Sequence, residues 1–269
     1  MGAVSCGRPW SHTWNDRPVN EFDDLAENYD RTRGGESRGE EYAADLDALL
    51  PPDEGPILEV GVGTGVVALG LAKRGRPVVG LDISLPMLRR ARDRLGGRVV
   101  ASDALLMAIA GSSVAHAVSV WVVHSVGDPV RLFEEVARVI RPGGLYLVCT
   151  TQRAAPDDDQ GRILEEMAAR VDVLRRAPRP RRVTSEEVEM WAAAAGFEGT
   201  RLERERSWWS RPAEEIEAIR LRQWPAMREL DETSIEEATR PALDTLRALP
   251  DEPVVRRAIA ELLVLRAPG

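Results

Sequence analysis

Between residues 57 and 65 the chain reads Ile57-Leu58-Glu59-Val60-Gly61-Val62-Gly63-Thr64-Gly65, and this stretch restricts the fold more than any other. Three apolar positions and one acid make the pattern of a buried parallel strand, and three glycines at alternate positions then turn the chain into a helix. Such a turn lets backbone pass close beneath a flat ligand and leaves helix-start N–H groups facing an anion. A nucleotide-like ligand at a strand–helix turn is the first expectation. With 269 residues, 43% of them apolar, the chain can bury one large domain, or one domain with a cap.

Strand and helix patterns alternate around this turn. Apolar runs predict strands over 57–60, 77–82, 98–101, 115–122 and 145–150. Helices are expected over 65–74, from a Ser84 cap to Leu95, briefly after Asp103, and from Asp128-Pro129 to the stop at Arg141-Pro142-Gly143-Gly144. Upstream, residues 1–20 read as an arm, 21–33 as a helix and turn, and 37–49 as a helix with Tyr42, Leu46 and Leu49 on one face. Alternation of this kind with apolar strands means a parallel sheet covered on both faces. After residue 150 the rhythm changes. A helix is expected over 160–176, a Pro/Arg linker over 175–182, and a helix from the capping box Thr184-Ser185-Glu186-Glu187 to Ala195. Strand character follows over 197–208, then helices over 212–224 and 234–249. The last apolar stretch, 259–265, reads as either a final strand or a helix end.

The formal net charge of −8 argues against a nucleic-acid partner, which calls for a basic face. Cys6 and Cys149 fit neither a metal spacing nor a disulfide framework, and no metal site is expected. No apolar run is long enough to span a bilayer, and the first thirty residues lack a signal-peptide core. The expectation is a cytoplasmic protein with no membrane partner, monomeric or homodimeric.

Asp82 ends the second strand, about one βαβ unit after the glycine turn, where an acid can accept both ribose hydroxyls of an adenosine. NAD and S-adenosylmethionine both carry that ribose. The NAD fingerprint needs a last glycine where this chain has Val66, and Glu59 is an unwelcome charge beside a pyrophosphate but a fair partner for an ammonium. Asp103 ends the third strand, where an adenine amino group can be read.

On these residues the chain resembles a class I S-adenosylmethionine-dependent methyltransferase, of the bacterial small-molecule and quinone-type group. Glu59 to Gly65 matches that family's first motif, Leu81-Asp82-Ile83-Ser84 with Met87 its second, and Ser102-Asp103-Ala104 its third. Trp121-Val122-Val123-His124 occupies the strand end that lines the methyl donor. Arg141 to Gly144 matches the turn before the fifth strand, and Phe22-Asp23 through Tyr29-Asp30 resembles the helix folding over the cofactor. The likeness is strong over residues 20–150. It implies a Rossmann-like, mostly parallel seven-stranded sheet with helices on both faces and a helical cap. The arm and first helices would be residues 1–50, the cofactor-binding core 51–150, and the remaining sheet 151–269 with its cap at about 208–250.

The resemblance implies that S-adenosylmethionine is the cofactor and S-adenosylhomocysteine the product. Gly61, Val62 and Gly63 would pass beneath the methionine part, with Asp82 on the ribose. Ile83 and Met87 would sandwich the adenine, and Asp103 would accept from its amino group beside Ser102 and Ala104. Tyr29 and Arg33 would close over the methionine end, and Trp121 would line the donor. Plain structural roles compete with these: Asp82 and Asp103 can be helix caps, and Met87 and Trp121 ordinary core.

Methyl transfer from a sulfonium is an in-line displacement that needs the acceptor atom held about 3–3.5 Å from the methyl carbon. His124, after the fourth strand at the carboxyl edge, is the candidate base, with an imidazole's ordinary pKa of about 6.5; lining the pocket is its competing role. His116, at the opposite edge, is not a candidate. The acceptor region is expected in the arm, with His12 and Trp14, and in the cap, with Trp208, Trp209 and Trp224; these rings either stack on a flat acceptor or form cap core. A small aromatic acceptor of secondary metabolism, indole-type included, is favoured. A nicotinamide-dependent oxidoreductase and a non-catalytic S-adenosylmethionine-binding protein remain the alternatives.

Overall fold

A computed structural model describes residue 26 and residues 29–32, 35–52, 55–175, 183–222 and 224–269. Helices α1 (Tyr29–Thr32) and α2 (Gly35–Leu49) precede the sheet. Then come β1 (Ile57–Val60), α3 (Val66–Lys73), β2 (Val78–Asp82), α4 (Leu85–Leu95), β3 (Val99–Ala101), β4 (His116–Val120), α5 (Pro129–Val139) and β5 (Leu145–Ala154). The second half contributes α6 (Asp159–Leu174), α7 (Ser185–Ala194), β6 (Glu198–Ser210), α8 (Pro212–Arg220), α9 (Glu232–Ala248) and β7 (Val254–Arg266).

The strands form one seven-stranded sheet in the order β3-β2-β1-β4-β5-β7-β6. β1 pairs parallel with both β2 and β4, and β4 pairs parallel with β5. β7 runs antiparallel between β5 and β6. All four β1 residues are buried, including Glu59. One face of the sheet packs on α2, α3 and α4 through Tyr42, Leu46, Leu71 and Leu88. The other packs on α5 and α7, where the rings of Phe133, Tyr146 and Phe197 meet 5.6–6.0 Å apart, near the edge-to-face spacing such rings prefer.

The helices are set by local chemistry. Ser84 caps α4 by accepting from Met87 N, Asp128 caps α5 from Arg131 N, and Thr184 with Glu187 closes a capping box on α7. Between β6 and β7 the chain inserts α8 and α9, which bury Ile219, Met227, Ala238 and Leu246 against Met167 and Val171 of α6. This is the expected helical cap, with a small core of its own. Arg256 of β7 ties it down: its Nε donates to both Asp158 oxygens at 2.9 Å and its guanidinium also pairs with Glu215 of α8.

Three local expectations change. No helix follows Asp103; residues 103–106 make a turn closed by an isolated bridge, because Asp103 Oδ1 accepts from Leu105 N and holds the chain in a turn. The stretch read as 212–224 stops as a helix at Arg220, and a short 3-10 turn, Pro225–Glu229, follows. The last apolar run is a strand and starts earlier, at Val254, paired along its whole length with β6. No described helix is long and apolar enough to cross a membrane, and no cluster of metal-ligating side chains occurs among the described residues.

Candidate functional site

The strand order reverses between β1 and β4, and an open α/β sheet leaves a crevice outside the carboxyl ends of such strands. A cleft with two lobes lies there. The first, of about 300 Å³, is lined by Gly61, Gly63, Asp82, Ile83, Met87, Ser102, Asp103, Ala104 and Leu105, and by residues 120–122 and 125–127. The second, of about 210 Å³, is lined by Arg38, Tyr42, Glu59, Val62, Thr64 and His124 among others. Tyr29, Gly61, Gly63, Val120 and Trp121 border both lobes.

Asp82 organises the loop between them. Its Oδ2 accepts from Gly63 N and its Oδ1 from Ser84 N, both at 2.8 Å. Ser84, not Asp82, is the cap of α4. Gly61 and Gly63 have φ of +69° and +54°. A Cβ on Gly61 would fall 2.4 Å from a Val122 methyl, so the strand end behind it demands glycine. A Cβ on Gly63 would meet nothing within 4 Å; it would project into free space beside the loop.

Glu59 sits under this loop, 2% exposed. Burial, with the nearby Asp82 charge adding to it, pushes its carboxyl from 4.5 up to about 8, although the backbone N–H of Ala68 at the start of α3 opposes the rise. One oxygen, Oε2, has no hydrogen-bond partner. That oxygen is open to a hydrogen-bond donor arriving at the loop, and a cationic donor there would draw the carboxyl back toward its charged form.

A latch holds α1 against the loop. Asp30 accepts from Thr64 Oγ1 at 2.5 Å and from Arg94 Nη2 at 2.7 Å, and Arg94 Nη1 donates to Thr64 O at 2.7 Å. This brings Tyr29 over the junction of the lobes. Trp121 borders the junction from β4 with φ of +62°, a conformation costly for a bulky residue and one that tends to mark functional sites. Its indole N–H donates to the Tyr42 hydroxyl at 3.1 Å.

Of the expected cofactor residues, Tyr29, Gly61, Gly63, Asp82, Ile83, Met87, Ser102, Asp103, Ala104 and Trp121 border the first lobe, and Glu59 and Val62 the second. The Ser102 hydroxyl is taken up by the local turn, accepting from Ala108 N at 2.9 Å. Met87 is 2% exposed, both core and cleft wall. Arg33, His12 and Trp14 lie outside the described residues. His124 is exposed and opens onto the second lobe. His116 is buried at the far edge, its Nδ1 accepting from Leu145 N at 3.0 Å.

None of the three cap tryptophans is among the residues bordering the two lobes, and Trp224 takes the other role expected of these rings, as cap core. Trp224 packs into the cap core, Trp208 lies 5.4 Å from the Arg256 guanidinium, and Trp209 is 70% exposed. Trp208 and Trp209 lie on β6, the edge strand beyond β5 and β7. Arg38, Asp30 and Gln152 were not singled out from the sequence. Arg38 carried a readable signal, since it stands four residues before Tyr42 on the apolar face of α2.

The residues present fit S-adenosylmethionine. Asp82 is placed for a ribose, Glu59 offers its orphaned oxygen to an ammonium, and the Gly63 approach leaves room for a ligand. A methyltransferase domain family matches residues 58–148. The ubiquinone biosynthesis O-methyltransferase of Sinorhizobium medicae is 30% identical over 201 residues, which cover 70% of this chain and 77% of that protein. The tRNA 5-carboxymethoxyuridine methyltransferase of Escherichia coli (strain K12) is 31% identical over 143 residues, 46% of this chain and 53% of that protein. The chain thus spans about half the length of the first curated relatives it matches. A structure of an S-adenosylmethionine-dependent methyltransferase from Thermotoga maritima superposes with a TM-score of 0.56 at 21% identity, covering 92% of this chain and 98% of that one, which shows a shared fold. Together with the glycine loop, the acids at the ends of β1 and β2 and the strand order, the match places the chain in the class I S-adenosylmethionine-dependent methyltransferases.

Proposed function

We propose that this protein transfers the methyl group of S-adenosylmethionine to a small, flat acceptor, an aromatic compound of secondary metabolism with indole-type rings included. One observation carries the reading: a lobe with a ribose-type carboxylate adjoins a second lobe lined by an acid with one oxygen unpartnered and by Tyr29, Tyr42 and Trp121. When bound, S-adenosylmethionine supplies an electrophilic methyl group on a sulfonium.

The chain's own residues do the rest. Asp82 and the Gly61–Gly63 backbone orient the donor, and Glu59 supplies the charge facing its ammonium. Tyr29, held by the Asp30 latch, excludes water from the junction of the lobes. Trp121 offers a ring face to a flat acceptor. His124 takes the proton that an O–H, N–H or acidic C–H acceptor must lose. Positioning is the main catalytic contribution, because fixing two reactants in line removes most of the entropy of encounter. A net charge of −8 favours a small molecule over a nucleic acid, whose binding is driven by cationic contacts to phosphate.

The test has two parts. Calorimetry should show binding of S-adenosylhomocysteine and none of NADH. Incubation with methyl-labelled S-adenosylmethionine, a small-molecule extract and, separately, bulk tRNA should put label into the small-molecule fraction. Label in tRNA would overturn the acceptor class. Binding without any transfer would make the protein a non-catalytic binder, and absence of binding would overturn the cofactor.

A further inference from the structure

A buried arginine outside the cleft braces one of its walls. Arg206 stands on β6, shortly before that strand ends at Ser210 and the cap begins, and it borders neither lobe. Its cross-strand neighbour on β7 is Ala258, whose own neighbour on β5 is Ala154. Cross-strand neighbours share a face of the sheet, and two alanines in a row leave room there for a long side chain to reach α2. On α2, Arg206 Nη2 donates to Asp45 Oδ2 at 2.7 Å, and the guanidinium carbon sits 3.8 Å from the centre of the Tyr42 ring, well within cation–π range.

As a stabiliser this arginine is poor. Its Nε has no hydrogen-bond partner, and its acids lie toward solvent, Asp45 half-buried and Glu41, 3.9 Å from Nη1, exposed. A buried charge satisfied so incompletely stabilises a fold no better than an apolar side chain of similar volume. What it supplies is a fixed ring. The Tyr42 hydroxyl donates to Gln152 Oε1 and accepts from Trp121 Nε1, both at 3.1 Å. Trp121 borders both lobes with φ of +62°, and a backbone so strained persists only where its surroundings hold it.

We propose that Arg206 is a positioning residue for the cofactor cleft. By fixing Tyr42 it fixes the Trp121 indole at the junction of the lobes, so the strand that carries the cap also sets the wall beside the methyl donor. The proposal rests on the seating of S-adenosylmethionine in this cleft.

Protein labelled with nitrogen-15 in its tryptophan indoles gives one N–H signal per ring, and Trp121→Phe identifies the signal of Trp121. In Arg206→Met that signal should shift in the direction in which Tyr42→Phe shifts it, and S-adenosylhomocysteine affinity by calorimetry should fall about fivefold or more. Tyr42→Phe keeps a ring against the guanidinium and removes only the hydroxyl. Adding Arg206→Met to it should therefore weaken binding by less than a further factor of about two, since both changes act through one contact. Asp45→Asn loosens the guanidinium from a half-buried position. It should move the Trp121 signal the same way by a smaller amount, and it carries the test if Arg206→Met does not fold. A Trp121 signal that neither Arg206→Met nor Asp45→Asn moves would overturn the inference. So would affinity losses that multiply in the double variant, because the arginine would then act on the fold at large and not through Tyr42. Wild-type protein that binds no S-adenosylhomocysteine would strike the cofactor assignment itself, and this inference with it.

Discussion

Replacing Glu59 by glutamine should stabilise the ligand-free protein and weaken its hold on the cofactor. Burial raises the Glu59 carboxyl from 4.5 to about 8. An acid whose folded pKa is raised holds its proton to higher pH than in the unfolded chain. Folding therefore takes up a proton between those two values, and stability falls as pH rises through them. At 1.36 kcal/mol per pH unit, the loss is roughly 3 kcal/mol at pH 7 and levels off near 5 kcal/mol above about pH 8. Glutamine keeps the acceptor facing Ala68 N and does not titrate. Its amide nitrogen, standing where Oε2 has no partner, offsets about 1 kcal/mol of the gain. The net expectation is no change at pH 5, roughly 2 kcal/mol of added stability at pH 7 and roughly 4 kcal/mol at pH 9. Urea denaturation of both proteins at these three pH values measures it. The same variant should bind S-adenosylhomocysteine about tenfold more weakly or worse, having lost the charge facing the ammonium. A Glu59→Gln protein that is no more stable at pH 9, or whose gain does not grow with pH, would refute the reasoning.

Asp82→Ala should weaken S-adenosylhomocysteine binding by about tenfold or more and cost about 1–2 kcal/mol of stability, because Gly63 N and Ser84 N lose their acceptor; unchanged calorimetric affinity would remove the ribose assignment. Gly63→Ala should fold, with about 1–2 kcal/mol lost to its positive φ, yet lose most cofactor affinity. Gly61→Ala should instead damage the fold, since its Cβ would strike Val122; equal melting temperatures for the two variants would contradict this contrast. His124→Ala should lower turnover about a hundredfold when chemistry is rate-limiting, most where the imidazole is neutral, and should flatten the acidic limb of the pH profile. A rate unchanged from pH 6 to 9 would end its role as base.

Legibility in the sequence followed the range of the forces involved. The strand–glycine–helix turn, the Ser84, Asp128 and Thr184 caps, and the apolar strands were readable because each depends on neighbours within a few residues. The turn after Asp103 was misread because an acid followed by apolar residues suits a helix start and an Asx turn equally. The position of Trp208 and Trp209 was not legible because it depends on strand order. β7 lies between β5 and β6, which carries Trp208 and Trp209 to the far edge of the sheet.

The sequence alone determined the parallel α/β core, the ligand turn, and the features, Glu59, Val66 and Asp103, that favour S-adenosylmethionine over a dinucleotide. These rest on local periodicity and on residues fixed to adjacent strand ends. Only the tertiary structure decided what surrounds the second lobe of the cleft. Folding α2 across β4 and β5 sets Arg38 beside Gln152, 114 positions away, and places both against Trp121. No spacing along the chain encodes that meeting, because it follows from packing a whole helix on a finished sheet.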